Sequence, residues 1–129
     1  MVIHMEISVT FGQIVINGVQ YSEDVIVSSD GTITKRLKEI SKPLKVKYGH
    51  TPLTKKEVEE TIKRFRVIDT LIIGTGHYGA LPIEKDTLDF LEQRGIKYII
   101  KKTKDAIDEF LKISRSRNKG VIAIFHITC

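Results

Sequence analysis

The sequence predicts an α/β protein of three layers, a mixed central sheet with helices on one face and an N-terminal antiparallel β-meander on the other. Three observations carry this. Residues 1–36 alternate apolar and polar with a period of two, broken by turn residues. Residues 48–129 alternate helical and strand patterns as α-β-α-β-α-β, which implies parallel strands joined by right-handed crossovers. Val121-Ile122-Ala123-Ile124-Phe125 is apolar without alternation, as befits a strand covered on both faces. The 129 residues make one domain, 1–129, able to bury roughly two thirds of its unfolded surface.

The elements follow in order. Ile7, Val9 and Phe11 alternate with Ser8 and Thr10 until Gly12 breaks the pattern. Residues 13–16 should pair with 19–21 across Asn17-Gly18, the strongest short hairpin signal. Residues 24–27 and 33–36 add two more strands around the turn Ser29-Asp30-Gly31, completing the meander. Thr51-Pro52 reads as a turn, and Thr54-x-x-Glu57 is a capping box opening a helix over 55–65 that buries Val58, Ile62 and Phe65. Leu71-Ile72-Ile73 is a buried strand. A helix over 84–94 carries Leu88 and Leu91 and stops at Gly95. Residues 97–101 form the next strand, Thr103 caps a helix bearing Ala106, Ile107, Phe110 and Leu111, and 121–127 is the last strand.

Composition is that of a soluble globular protein. No apolar run approaches the roughly 20 residues a bilayer requires. The start, Met1-Val2-Ile3-His4-Met5-Glu6, has neither a basic region nor an apolar core of signal-peptide length, so a cytoplasmic location is expected. The single cysteine, Cys129, excludes an internal disulfide. Scarce Asn and Gln beside plentiful Lys, Glu and Ile is a bias found in thermophile proteins. The net charge of +5 sits wholly in one stretch, where Lys35, Arg36, Lys38, Lys42, Lys45 and Lys47 face only Glu39. That stretch could meet phosphate or an acidic partner, or be a solvated basic connection. With no aromatic interleaved before Tyr48, nucleic acid is not the expected partner.

The candidate site lies where strands end. Gly74, Gly76 and Gly79 have G-x-G-x-x-G spacing after a strand, the dinucleotide fingerprint. Pro82 separates them from the next helix, however, and Lys101-Lys102 stand where the ribose-binding acid belongs. A glycine turn needed for positive φ and close chain passage accounts for the spacing as well. In a parallel arrangement the helix N-termini lie at the edge where strands end. His50 and Thr51, the loop Gly74, Thr75, Gly76, His77, Tyr78 and Gly79, then Thr103, and finally His126, Thr128 and Cys129 would gather along one edge if the last strand runs parallel to the first. Such an edge is where open α/β sheets hold ligands. His126 reads as a core histidine or a base, and Cys129 as a nucleophile only with a histidine beside it. The four histidines and Cys129 are dispersed, and no metal or cofactor is expected.

Read together, Phe11-Gly12, Asn17-Gly18, Tyr21, Asp24-Val25-Ile26-Val27, Tyr48-Gly49-His50-Thr51-Pro52-Leu53-Thr54, residues 71–79 with Leu81-Pro82-Ile83, and Phe125-His126-Ile127-Thr128-Cys129 resemble a small Mth-domain-like family of archaea and bacteria. Its relatives include the adipogenesis-associated Mth domain-containing protein and a mitochondrial complex I assembly factor. The resemblance implies a three-layer fold with a mixed sheet and links to assembly and regulation rather than a reaction. The favoured expectation is a non-catalytic binding or assembly module, a monomer or small homo-oligomer. Its crevice would engage a protein partner or small anionic ligand. The alternative is a small-molecule enzyme with His50, His77 or His126 as acid or base and the loop amides holding an anion.

Overall fold

In a computed structural model, which describes residues 4–117 and 119–129, the three-layer α/β architecture is present. Met1, Val2 and Ile3, part of the start read for an export signal, lie outside the described residues. The strands β1 (Ile7–Thr10), β2 (Gln13–Ile16) and β3 (Val19–Tyr21) form an antiparallel sheet of three. Asn17 and Gly18 turn the β2–β3 hairpin with φ of 51° and 81°, the pair of positive values a two-residue primed turn requires.

The central sheet has five strands. In chain order they are β4 (Val25–Ser28), β5 (Ile33–Lys35), β6 (Ile68–Thr75), β7 (Lys97–Lys101) and β8 (Gly120–His126), arranged β5-β4-β8-β6-β7. β6 pairs in parallel with both β7 and β8, while β4 is antiparallel to β8 and β5 to β4. The expected meander of residues 1–36 therefore divides: β1–β3 make the outer layer, and β4–β5 extend the central sheet. The four residues of β4 are all buried, since both faces of that strand are covered.

Among the described residues four α-helices complete the fold, α1 (Lys45–Tyr48), α2 (Lys55–Ile62), α3 (Lys85–Gln93) and α4 (Thr103–Ser114), with two 3-10 turns at Lys38–Ile40 and Lys42–Leu44 before α1. Helix α2 ends three residues earlier than its apolar spacing suggests, because Arg64 and Phe65 donate to carbonyls only three residues back and tighten the chain. One core joins Val58, Phe90 and Leu91 of α2 and α3 to Leu71, Ile73, Ile122 and Ile124. The other joins Ile107 and Phe110 of α4, together with Ile14 and Ile16 of the outer sheet, to Ile72, Ala123 and Phe125. Helix α4 thus shares the face of the β1–β3 layer instead of lying with α2 and α3. Right-handedness dictates this. The step from β6 to β7 moves one way across the sheet, and the step from β7 to β8 moves back over β6, so the two crossover helices must lie on opposite faces. Among the described residues no helix is long and apolar enough to cross a membrane.

Candidate functional site

Because β8 is parallel to β6, their carboxyl ends lie side by side, with Gly74 opposite Phe125 and Thr75 opposite His126. The strand runs through Gly74, so the loop proper starts at Gly76. Gly74 has no room for a side chain, since a Cβ there would sit 2.9 Å from Thr103 Oγ1. Gly76 has φ of +104°, and a Cβ on it would lie 2.3 Å from the main-chain carbon of Cys129. These glycines serve close chain passage.

The loop amides point into the protein's own chain. Gly76 N–H donates to Thr103 Oγ1 at 2.8 Å. His77 N–H donates to the Thr128 carbonyl at 2.7 Å, and Tyr78 and Ala80 N–H donate to the main-chain oxygen of Cys129 at 2.8 and 3.1 Å. Gly79 N–H reaches the carbonyl of Gly76 at 3.4 Å. The anion cradle that the enzyme alternative places on residues 74–79 finds its loop donors engaged: the His77 and Tyr78 amides hold the segment that follows β8, and those of Gly76 and Gly79 are taken by Thr103 and Gly76. Thr103 is likewise no cap. It is the first residue of α4, and its hydroxyl donates to the His126 carbonyl while accepting from Gly76, stitching α4, β6 and β8 together.

Beneath this clasp lies a buried ionic chain. Arg36, with its side chain fully buried, sends Nε and Nη2 to the two Glu57 oxygens at 2.8 and 3.0 Å, Nη1 to Asp24 Oδ2 at 2.9 Å and Nη2 also to the Pro52 carbonyl at 2.9 Å. Arg36 is thus a core ion-pair residue and not a surface cation of the basic stretch. Ser41 Oγ donates to Glu57 Oε1 at 2.6 Å, and Thr54 Oγ1 accepts from Glu57 N–H at 3.2 Å, so the capping box forms in one direction only. The Glu57 carboxylate that should complete it is committed to Arg36.

Asp24 continues the chain. Its Oδ2 lies 2.8 Å from His126 Nδ1, and Oδ1 accepts from Ile127 N–H at 2.9 Å. Burial pushes the Asp24 carboxyl up, but His126, the Ile127 amide and Arg36 outweigh it and bring the pKa down to about 2. An ionised Asp24 accepts from Nδ1 of His126, and the other ring nitrogen, Nε2, lies 3.3 Å from Thr128 Oγ1. Burial opposes the charge of Arg36 too, yet Glu57 and Asp24 hold its pKa above the ordinary value.

Outside the clasp the surface changes character. Phe11 at the β1–β2 turn and Tyr78 on the loop are 53% and 69% exposed. With His77 they form an aromatic ledge, Phe11 to His77 at 6.0 Å, Phe11 to Tyr78 at 6.2 Å and His77 to Tyr78 at 4.9 Å between ring centres. A hollow of about 450 Å³ adjoins it, lined among others by Phe11, His77, Lys102, Lys104 and His126. A smaller hollow of about 220 Å³ lies where Lys35, Lys38 and Lys42 approach Asp24, Arg36 and Thr128. Lys35 pairs with Glu23 and Lys42 with Glu39 on the surface, and Lys47 lies over the Tyr48 ring.

The structure brings together Gly74, Thr75, Gly76, His77, Tyr78, Gly79, Thr103, His126, Thr128 and Cys129. His50 and Thr51 line neither hollow, because the chain there runs beside residues 82–84, where Leu53 N–H donates to the Pro82 carbonyl. Sequence reasoning overlooked Phe11, Asp24, Glu57, Lys102 and Lys104 as site residues. Phe11 carried a signal, a large aromatic directly before a turn glycine. Asp24 and Glu57 carried none, since their partners are distant in the chain. Among the described residues no cluster of three His, Cys, Asp or Glu side chains is placed to hold a metal ion.

Fold and clasp together define a small three-layer α/β protein whose sheet edge is closed by its own chain. The chain belongs to the family described as "protein of unknown function (DUF498/DUF598)", which matches residues 7–126. It is similar to the conserved hypothetical protein PH1505 from Pyrococcus horikoshii OT3, with 31% identity over 98% of this chain and all of that one, at a TM-score of 0.81. It is also similar to the protein MT938, with 30% identity over 98% of this chain and 100% of the other and a TM-score of 0.70. A protein from Bordetella parapertussis shares the fold at 14% identity, with 94% of this chain and 93% of that chain covered and a TM-score of 0.68.

Proposed function

We propose that the chain is a non-catalytic binding module of the assembly or regulatory kind, which receives an acidic segment of a partner protein on the Phe11–His77–Tyr78 ledge. The observation that carries this reading is the exposure of two large aromatic side chains, Phe11 on the β1–β2 turn, whose Gly12 N–H donates to the Ile127 carbonyl, and Tyr78 on the loop that the clasp holds. Aromatic side chains on a rigid support are the usual anchors of protein interfaces. Lys102 and Lys104, beside the ledge and outnumbering Asp105 in the same hollow, favour a partner with carboxylates. The resemblance to Mth-domain proteins linked to assembly points the same way.

An enzyme using His126 has one observation in its favour, the Asp24–His126 pair. Against it, the loop amides that would hold an anion are engaged, and His126 is buried with a partner on each nitrogen. The test is panning of a peptide-display library against the wild type and against Phe11→Ser with Tyr78→Ser. Acidic, aromatic-containing peptides should bind the wild type, and the double variant should lose at least about tenfold in affinity, roughly 1.4 kcal/mol. Peptides that bind both proteins equally would refute the assignment. Native against denaturing mass spectra of the same preparation address the enzyme reading, which a co-purifying small molecule would revive.

A further inference from the structure

A second charged surface lies at the opposite end of the parallel strands, and no single stretch of sequence displays it. Ile68 and Gly120 start β6 and β8 as register partners, so the segments leading into the two strands converge. The first brings Lys63, Arg64 and Arg66, the second Arg115, Arg117 and Lys119. Four of the chain's six arginines therefore stand at this edge. Of the other two, Arg36 is buried and Arg94 lies over the Phe90 ring. Lys63 is paired with Glu60 and Arg117 with Asp69. Among the described residues Arg64, Arg66, Arg115 and Lys119 make no ion pair.

A groove of about 650 Å³ opens between these segments, lined by Arg64, Arg66 and Lys119 with Phe65 and Val67. Val67 is 57% exposed. The one carboxylate in the groove, Asp30, is held within its own turn by the Thr32 N–H at 2.9 Å. The concentration of arginine is informative in a chain otherwise rich in lysine, because the planar guanidinium matches phosphate oxygens with paired donors. Phe65, partly buried against the core of α2 and α3, and the exposed Val67 give the groove an apolar floor between its cations, against which a base edge could rest.

We propose that this amino-end groove binds the phosphodiester backbone of single-stranded nucleic acid. The surface is separate from the aromatic ledge and from the basic stretch over 35–47, whose lack of interleaved aromatics argued against nucleic acid. Its occupancy is independent of the partner-binding reading.

The test is fluorescence anisotropy with fluorescein-labelled oligothymidylate and oligouridylate of roughly 20 nucleotides, a length that exceeds a single compact site. Dissociation constants in the range of about 1–100 μM are expected, and log K should fall against log salt with a slope near −3, about −0.7 for each of four free cations. Arg64→Glu with Arg66→Glu should weaken binding at least about tenfold and reduce that slope by about half. Lys38→Glu with Lys42→Glu, on the other basic surface, should leave it unchanged. Circular dichroism melts establish that both pairs of variants fold, and Arg115→Gln gives a milder second probe of the same edge. Absence of binding at low salt, binding indifferent to Arg64 and Arg66, or binding confined to phosphatidylserine vesicles would each overturn the proposal. A mononucleotide that binds as tightly as the oligomer would overturn it as well, by showing a site for one phosphate group.

Discussion

Arg36→Met removes the cation at the centre of the buried chain and leaves a side chain of similar length. Asp24 would keep His126 and the Ile127 N–H and Glu57 would keep Ser41, but both buried carboxylates would lose the guanidinium they share, and the Pro52 carbonyl would lose its donor. Truncating one partner of a buried pair costs about 3–5 kcal/mol, because the remaining charge stays desolvated. Here one cation serves two carboxylates, so the upper half of that range is expected. For a chain of 129 residues the entropy of unfolding makes about 4 kcal/mol equivalent to a fall of about 15 °C in melting temperature. The assay is urea denaturation followed by circular dichroism, with thermal melts alongside. Arg36→Met with Glu57→Leu separates charge from packing, since replacing both members of a buried pair by apolar groups approaches neutrality and should recover part of the loss. A loss below about 1 kcal/mol in Arg36→Met would refute the view that the network is dry and charged.

Three further outcomes are expected. Asp24 titrates at about 2 in the folded protein against an ordinary 3.8, so its contribution is full above pH ~4 and is lost as pH falls toward 2. The difference is worth about 2 kcal/mol, and Asp24→Asn should flatten that part of a stability-against-pH curve measured by urea titration. Gly76→Ala combines a left-handed backbone with an overlap against the main chain at Cys129, and should cost at least about 3 kcal/mol or displace the segment after β8, seen as altered amide exchange at His77 and Tyr78. His77→Ala, on the surface, should melt within about 2 °C of the wild type, whereas His126→Ala strips Asp24 of a partner and should cost about 2 kcal/mol or more. Equal melts for the two histidine variants would remove His126 from the core network.

What could be read from the sequence divides along physical lines. The Asn17-Gly18 hairpin and the α3 stop at Gly95 were legible because each rests on neighbours a few residues apart. The uninterrupted apolar run of β8 signals two-sided burial, whereas Val25-Ile26-Val27, next to the hairpin, reads as part of the outer meander and is found buried on both faces in the central sheet. The side taken by α4 was not legible in its own residues, because it follows from strand order, and strand order is a long-range property. Arg36 is the sharpest case. Its neighbours Lys35 and Lys38 make it look like one more surface cation, and only the arrival of Asp24 and Glu57, 12 and 21 residues away, turns it inward. In the candidate site the glycine spacing is compatible with a phosphate site or with close chain passage, and at Gly76 it is the chain itself, at Cys129, that passes close. Glycine permits close approach without specifying whether a phosphate or a backbone approaches.

That ambiguity bears on how such a sheet can be used. In open α/β sheets a ligand enters at the carboxyl edge because strand ends and helix N-termini leave unpaired donors there. In this chain the segment after β8 takes those donors, and Thr103 diverts its hydroxyl to the same stitch. A ligand competing for the loop amides would have to displace several backbone hydrogen bonds at once, each worth about 1 kcal/mol net, and expose the buried Asp24–His126 pair. Recognition is therefore easier where no such displacement is needed, on side chains that already stand in solvent. The aromatic ledge beside the clasp and the arginine groove at the far end of β6 and β8 both satisfy that condition. The clasp contributes to the first by fixing the backbone of His77 and Tyr78, so little conformational entropy remains to be lost when a partner covers the ledge.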